Sequence, residues 1–248
     1  MNSKNGIVNQ RNSDKDFTII DVSTSLYKAY FDQETKKRLE ELSKKVDIYL
    51  VTGARESTLR KRLHALTFIK GAILENGGLI LDENLQKDES WAKSLESESK
   101  ILKFFIARLE EKGFVLDNQG RYNMARIRED DNAFFKDKDF EEFYESLKIP
   151  KGLKKSRNFG HIDIIPTSSG KGPAVKYLIS KIKAQNTYGI GDDINDIDML
   201  KITDHSFLLG SSFPEAIKEA KKENMYISKG FFFEGINEIL DKISESCI

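Results

Sequence analysis

The amino-acid sequence predicts an α/β protein that contains a parallel β-sheet and an inserted α+β module. Short apolar segments typical of buried strands alternate with amphipathic segments of helical length, and this alternation indicates a parallel sheet. The alternation stops after Asp82 and resumes near Ser168. The stretch between them has the pattern of antiparallel strands with two helices, which indicates an insertion. The 248 residues are enough for one core domain and one inserted module.

Before the interruption, the sequence predicts four strands and two helices. Asp32 is a helix start signal, and apolar residues with helical spacing follow it. The strand that ends at Glu75 is joined to the next one by a turn at Asn76-Gly77-Gly78. The predicted strands cover residues 17–22, 46–51, 71–75 and 79–81, and the predicted helices cover residues 32–42 and 57–66.

The inserted stretch begins with one long helical pattern over residues 89–112, in which Ile101, Phe105 and Leu109 share a face. Strands are then predicted over residues 114–116 and 122–128, with a turn at residues 118–120. A second helix is predicted over residues 138–147, and a strand over 161–165 ends at Pro166. Together these elements predict a small α+β module.

The resumed alternation begins with a helix whose first turn contains Pro173. Strands are predicted over residues 187–190, 206–209 and 225–227, a short helix ends at Leu200, and further helices cover residues 214–221 and 233–243. The predicted organisation is therefore a flexible tail at residues 1–16, a core at 17–83 and 167–248, and the insertion at 84–166.

The composition excludes several classes of protein. Lysine and arginine number 40 and the acids also number 40, so a nucleic-acid or membrane-surface binder is not expected. The single cysteine, Cys247, has no partner for an intrachain disulfide. No run of 18 apolar residues is present to span a membrane. We expect a cytoplasmic monomer or homodimer that acts on a small molecule.

An acidic cluster follows the strand predicted over residues 187–190. Asp192, Asp193 and Asp196 lie within five residues of one another, together with Asn195. Carboxylates this close repel one another unless they are neutralised, and a hard divalent cation with oxygen ligands is the usual partner. The alternative is a polar turn in which one of these residues caps the helix near Ile197.

Three predicted strands end in residues that suit phosphoryl chemistry. Ligands of open parallel sheets bind beyond the carboxyl ends of the strands. Asp21, Thr52-Gly53 and Asp192 each follow such an end, and Lys171 lies at a predicted helix start. A lysine and a cation would neutralise a phosphoryl group while a carboxylate attacks phosphorus. Each residue also has an ordinary structural explanation, as a turn cap, a strand exit or a solvated side chain.

Four segments resemble the motifs of the haloacid dehalogenase superfamily. They are Asp21-Val-Ser-Thr-Ser25, Val51-Thr-Gly-Ala-Arg55, Lys171-Gly172 and Gly191-Asp-Asp-Ile-Asn-Asp196. The turn at residues 75–78 and the segment at 162–166 are similar to the branch that contains sucrose-phosphate phosphatases and Cof-type sugar phosphatases. The resemblance implies a Rossmann-like core, with the insertion between the second and third motifs acting as a cap.

The resemblance also implies roles for individual residues. Asp21 would be the nucleophile that forms an aspartyl-phosphate on a phosphorylated metabolite, and Thr52 and Lys171 would hold the phosphate. Ser25, Gly53 and Asn195 would assist substrate binding. Mg²⁺ would be held by Asp21, the main-chain carbonyl of Ser23, Asp192 and Asp196, whereas Asp193 has no assigned role.

The first motif departs from the family pattern Asp-x-Asp-Gly-Thr at Ser23. The family aspartate at this position protonates the leaving alkoxide and then activates water. A serine hydroxyl is too weak an acid to replace it, and loss of general acid–base help typically costs ~10² to 10⁴-fold in rate. The cation site is expected to survive, because the contact from this position is a main-chain carbonyl.

Three interpretations of Ser23 stay open at this stage. In the first, the chain is a slow or specialised Mg²⁺-dependent phosphatase, and the resemblance implies sugar phosphates as its substrates. In the second, it binds a phosphorylated ligand in a regulatory role without useful turnover. The third is an engineered Asp→Ser change in an active enzyme. A receiver domain is also an Asp-phosphorylated α/β protein, but it has about half this length and no cap.

The cap supplies candidates for contact with the rest of the substrate. Period-two alternation places Arg126 and Arg128 on one face of a predicted strand. These arginines and His161 are candidate substrate-binding residues. The alternative is that they are solvated charges on a strand face.

Overall fold

The computed structural model describes residues 19–21, 30–136, 139–158 and 160–246. The predicted tail at residues 1–16 lies outside these ranges, as do Ser23, Ser25 and Cys247. Of Asp21 only the backbone is described. Within the described ranges, no helix is both long enough and apolar enough to cross a membrane.

Strands and α-helices alternate along much of the described chain. The strands are β1 (Ile19–Asp21), β2 (Tyr30–Asp32), β3 (Ile48–Val51), β4 (Ile69–Leu74), β5 (Leu79–Leu81), β6 (Ala125–Arg128), β7 (Leu153–Asn158), β8 (His161–Pro166), β9 (Tyr188–Gly191), β10 (His205–Leu208) and β11 (Tyr226–Ile227). The helices are α1 (Gln33–Leu42), α2 (Glu56–Arg62), α3 (Glu89–Ser94), α4 (Glu96–Glu111), α5 (Phe140–Ser146), α6 (Lys171–Ile182), α7 (Ile197–Leu200), α8 (Pro214–Lys222) and α9 (Phe232–Ser246).

The chain divides into two compact units, of which the first comprises Met1–Ile48, Ser57–Ile69 and Tyr188–Ile248. In this unit β9, β10 and β11 form a parallel sheet with β10 in the centre. Helices α1 and α9 contribute to its core, whose buried members are Leu42, Phe207, Leu209, Ile239, Leu240 and Ile243. The parallel sheet and the helices between its strands confirm the predicted α/β class.

The second unit comprises Tyr49–Glu56 and Lys70–Thr187. It contains the sheet β3-β4-β5 and the antiparallel sheet β6-β8-β7. Apolar residues of α4, α5 and the second sheet form one core, whose buried members are Leu102, Leu109, Ala125, Ile127, Phe135, Phe140, Leu153, Ile162 and Ile164. The predicted α+β module is therefore present, and its boundaries at residues 84 and 166 stay a prediction.

The long helix predicted over residues 89–112 is wrong, because the structure has two helices, α3 and α4, that meet at Leu95. Asp88 caps α3 by accepting from the N–H of Trp91 at 3.0 Å. The indole N–H of Trp91 donates to the carbonyl of Gly77 at 3.0 Å. This contact outside the helical pattern holds α3, so α3 and α4 are not one continuous helix.

The strand pair predicted over residues 114–116 and 122–128 is confirmed only in part. Only Ala125–Arg128 forms a strand, and Leu116 makes a single antiparallel bridge to Ile127. The N–H groups of Tyr122 and Asn123 donate to the Glu75 carboxylate instead of to a strand.

Strands β2 and β7 were not predicted from the sequence. Strand β7 lies at a sheet edge and carries Lys154, Lys155 and Arg157, which obscured its periodicity.

Candidate functional site

The loop after β9 holds the acidic cluster of the first unit. Oδ2 of Asp196 accepts from the N–H of Asp192 at 3.1 Å and from the N–H of Asp193 at 3.2 Å. Asp196 is buried, whereas Asp192 is exposed. A Cβ on Gly191 would lie 2.6 Å from Cβ of Asp196, so only glycine allows the strand end to approach this side chain. The loop therefore fixes the buried Asp196 carboxylate through the backbone of its two acidic neighbours.

Asp193 serves the structure of the same loop. Its Oδ1 accepts from the N–H of Ile194 at 2.6 Å, and it caps the 3-10 turn over Ile194–Asp196. Asp193 therefore caps the turn that precedes α7, whereas Asp196, the N-cap of α7 itself, makes no side-chain capping bond. Asn195 is half-buried in the turn.

The predicted first motif is described only at its strand. Asp21 is the last residue of β1, and its backbone is in antiparallel register with Tyr30. Ser23 and Ser25 lie outside the described residues. Among the described side chains, no group of three acids, histidines or cysteines would hold a metal ion by itself. The predicted Mg²⁺ set includes Asp21 and Ser23, so it stays a prediction.

The loop after β3 holds Thr52 and Gly53 in the second unit. The N–H of Thr52 donates to the carbonyl of Ile73 at 2.9 Å, which continues the sheet past the end of β3. Oγ1 of Thr52 accepts from the N–H of Ala54 at 3.2 Å. This local bond uses the hydroxyl as an acceptor, so its proton can still be donated to an anion.

A turn at Glu75–Gly77 lies against this loop. The N–H of Asn76 donates to the carbonyl of Thr52 at 3.1 Å, and the N–H of Glu75 donates to the carbonyl of Ala54 at 3.1 Å. Glu75 and Asn76 have φ of 55° and 51°, a left-handed conformation that side-chain-bearing residues adopt at a cost. Such strain is retained where surrounding contacts fix the backbone.

The carboxylate of Glu75 is one of those contacts. It is fully buried and accepts from the N–H groups of Tyr122 and Asn123, each at 2.9 Å. Burial raises the pKa of Glu75, and the two backbone N–H groups oppose that rise. The carboxylate thereby joins the turn to the segment that leads into β6.

The start of α6 approaches the other side of the turn. A Cβ on Gly77 would lie 2.1 Å from the carbonyl oxygen of Gly170, so the two backbones are in direct contact. Gly170 is the N-cap of α6, and Lys171 is the first helical residue. Thr52 and the residue before Lys171 therefore both contact the turn at Glu75–Gly77.

This approach predicts a large cost for Gly77→Ala. Both Gly77 (φ 94°) and Gly113 (φ 84°) have positive φ, but a Cβ on Gly113 would meet nothing within 4 Å. We expect Gly113→Ala to lower the free energy of unfolding by ~1 kcal/mol. Gly77→Ala should cost on the order of 3 kcal/mol more, because the Gly170 carbonyl must move. Urea denaturation of both variants measures the difference, and equal losses would contradict the contact.

Arginines hold the loop that contains Gly53. Arg121 donates through Nη1 to the carbonyl of Gly53 at 3.1 Å and through Nη2 to Asp117 at 3.1 Å. Arg55 forms an ion pair with the same Asp117. Burial alone would raise the pKa of Asp117, but the charges and hydrogen bonds of Arg121 and Arg55 lower it. Arg55, in the second motif, therefore has a structural partner.

Three predicted substrate-binding residues share one face of the sheet β6-β8-β7, which we call the polar cap face. The register pairs Arg126 with Asp163 and Arg128 with His161. Arg126 forms an ion pair with Asp163, and Nε of Arg128 lies 3.3 Å from Asp131. Burial and the charge of Arg126 lower the pKa of His161, so its imidazole is neutral at pH 7. The predicted substrate contacts of these three residues stay predictions.

Three residues near the loop at Thr52 were not predicted from the sequence. Asn76 and Arg121 donate to carbonyls of the loop, and Asp163 accepts from Asn76. One signal was available for Asp163, because it is a single acid within the apolar segment Ile162–Ile165. A buried acid requires a partner. No local pattern identified that partner as Arg126.

Residues 118–229 match the family of haloacid dehalogenase-like hydrolases. This region includes Lys171 and the acidic cluster, the third and fourth motifs. The match covers a little under half of the chain and agrees there with the family that the motifs resemble.

Two curated relatives and one solved structure illustrate the similarity. The 5-amino-6-(5-phospho-D-ribitylamino)uracil phosphatase YwtE of Bacillus subtilis is 33 % identical over 102 residues, which are 40 % of this chain and 34 % of that protein. A probable sucrose-phosphatase 3b of Arabidopsis thaliana is 34 % identical over 64 residues, which are 23 % and 15 % of the two chains. The matched segments thus span about a third or less of these relatives.

The fold similarity extends over most of the chain. The sucrose-phosphatase of Synechocystis, solved with sucrose and phosphate, has a TM-score of 0.64 and 19 % identity. The superposition covers 87 % of this chain and 92 % of that one. At this identity the comparison establishes the fold alone.

Proposed function

We propose that this chain, a haloacid dehalogenase-like hydrolase by sequence family and fold, is a phosphatase of a small phosphorylated metabolite. The observation that carries the proposal is the turn at Glu75–Gly77, which contacts both the Thr52 loop and the residue before Lys171. A hydroxyl, a lysine and the N–H groups at the start of α6 suit a phosphate anion.

The reaction proceeds in two displacements. The Asp21 carboxylate attacks phosphorus, an aspartyl-phosphate bond forms, and the bond from phosphorus to the ester oxygen breaks. The leaving alkoxide takes a proton from water, because Ser23 is too weak an acid to supply one. Water then attacks phosphorus, the bond from phosphorus to the Asp21 oxygen breaks, and phosphate leaves with the Asp21 carboxylate regenerated. The proton lost by this water neutralises the hydroxide left by the first displacement.

The acidic loop suits a hard cation. Asp192 and Asp196 offer carboxylate oxygens, and Mg²⁺ prefers oxygen ligands in proteins. Two backbone N–H groups orient the carboxylate of Asp196. These residues would hold Mg²⁺ with Asp21 and the Ser23 carbonyl, and the ion would neutralise charge on the phosphoryl group.

The polar cap face supports a sugar phosphate as the substrate class. Arg126 is paired with Asp163 and Arg128 with Asp131, so neither arginine adds an uncompensated charge to this face. Such a face suits neutral hydroxyl groups better than a second phosphate. Relatives named for phosphorylated ribityl and sucrose compounds fit the same class of hydroxyl-rich phosphate monoesters.

A second candidate function is binding of a phosphorylated ligand in a regulatory role, without useful turnover. The serine at position 23 favours it, because the family acid–base residue is absent. The two functions use the same phosphate-binding residues and differ in whether phosphate is released.

A phosphatase panel tests the proposal. We expect slow phosphate release from glucose 6-phosphate, abolished by EDTA and restored by MgCl₂. The kcat/KM for this monophosphate should exceed that for fructose 1,6-bisphosphate by about tenfold, because Arg126 and Arg128 are each already paired with a carboxylate. Binding of the same compounds is measured in parallel by calorimetry. Binding without release would support the regulatory function. If the chain neither binds nor hydrolyses these compounds, both functions are refuted.

A further inference from the structure

Asp163 is the one acid in strands β6, β7 and β8, which form the antiparallel sheet of the second unit. It lies in the central strand β8, opposite Arg126 on β6 and Ser156 on β7. Its side chain is 0 % exposed. Burying a carboxylate is costly unless partners satisfy it, so its contacts show what holds it there.

Both carboxylate oxygens of Asp163 bind the same guanidinium group. Nε of Arg126 donates to Oδ1 at 2.6 Å, and Nη2 donates to Oδ2 at 2.8 Å. Two parallel hydrogen bonds fix the plane and direction of a guanidinium group, which a single contact does not. A buried ion pair often stabilises a protein no more than apolar residues of the same volume would. The ion pair between Asp163 and Arg126 is therefore better explained by the orientation it gives Arg126 than by a contribution to stability.

The same carboxylate is anchored to the turn beside Thr52. Oδ2 of Asp163 accepts from Nδ2 of Asn76 at 3.0 Å. Asn76 donates its backbone N–H to the carbonyl of Thr52, and its Oδ1 lies 2.8 Å from the position of a Cβ on Gly53. Asn76 thus joins Asp163 to the loop in which phosphate is proposed to bind.

We propose that Asp163 is a positioning residue that aims Arg126 at the non-phosphate part of the substrate, with Asn76 setting its distance from the Thr52 loop. The inference rests on the proposed function, since it assumes a phosphorylated ligand at that loop. Asp163 itself does not contact the ligand.

The test compares Asp163→Asn with Glu96→Gln. Both changes remove the charge of a paired carboxylate in the second unit, but Glu96 has a side chain 61 % exposed and pairs with Lys100 on its own helix at 2.7 Å. For Asp163→Asn we expect the KM or Kd for glucose 6-phosphate to rise about tenfold, with kcat within about threefold. The Ki of inorganic phosphate should stay within about twofold, since phosphate alone lacks the part of the substrate that Arg126 is proposed to contact. Glu96→Gln should change none of these, because exposed ion pairs contribute little.

The double variant Asp163→Asn/Arg126→Gln tests whether the effect passes through Arg126. Its KM or Kd should equal that of Arg126→Gln alone, because the positioned group is already absent. If the increases in KM or Kd of the two single variants multiply in the double variant, the proposal is overturned. An unchanged KM in Asp163→Asn would also overturn it.

Should Asp163→Asn fail to fold, Arg126→Lys serves as the second variant. It keeps the positive charge and loses the two-bond geometry, so an increase of several-fold in KM or Kd is expected. No change would overturn the proposal. A wild-type protein that binds phosphate but not glucose 6-phosphate would also overturn it, whereas one that binds neither would refute the proposed function itself.

Discussion

The Asp21→Asn variant is expected to lose all measurable phosphatase turnover. An amide nitrogen or oxygen is a much poorer nucleophile than a carboxylate, and no aspartyl-phosphate can form from it. Loss of a covalent nucleophile removes the first displacement completely, so the decrease should be at least ~10⁴-fold. Mg²⁺-dependent release of inorganic phosphate measures it.

The control for Asp21→Asn is Asp241→Asn, which also removes one carboxylate charge. Asp241 is on α9, its side chain is 62 % exposed, and it pairs with Arg38 on α1. Its replacement should leave turnover unchanged. If Asp21→Asn also retained full turnover, the covalent mechanism proposed here would be wrong.

Ser23→Asp is expected to raise kcat by at least about tenfold. The new carboxyl group would protonate the leaving alkoxide in the first displacement and remove a proton from water in the second. General acid–base help is typically worth ~10² to 10⁴-fold, and Thr24 in place of the family glycine should reduce the gain. Steady-state kinetics of both proteins with glucose 6-phosphate measure the change.

Ser23→Asn separates acid–base chemistry from shape. Asparagine matches aspartate in size but has no titratable proton, so this variant should show no gain over wild type. A rise in kcat with Asn equal to that with Asp would contradict the acid–base explanation. A rise with Asp alone, from an inactive wild type, would identify the natural chain as a binding protein with a latent phosphatase pocket.

Two of the three acids of the fourth motif have defined structural contacts. Asp193 caps the turn over Ile194–Asp196, and the buried Asp196 accepts from the N–H groups of Asp192 and Asp193. Both acids therefore belong to one capping box. Capping is a local interaction that spacing can suggest, but the spacing did not indicate which aspartates take part in it.

The sequence by itself determined the α/β class, the positions of most strands and helices, and the residue types of the four motifs. Hydrophobic periodicity and capping depend on neighbours within a few residues, so both can be recognised in the amino-acid sequence. The Asp32 cap of α1 and the strand that ends at Gly191 were both found in this way.

Only the tertiary structure decided how the motifs are supported. The Asn76–Asp163 bond joins residues 87 positions apart, and the Arg126–Asp163 pair joins residues 37 positions apart. The break between α3 and α4 also depends on a contact between distant residues, the bond from Trp91 to Gly77. So do the hydrogen bonds from the N–H groups of Tyr122 and Asn123 to the Glu75 carboxylate. Each depends on strand register and on which buried polar group finds a partner. Those are properties of the packed chain, because a buried carboxylate binds whichever donor the fold brings within reach.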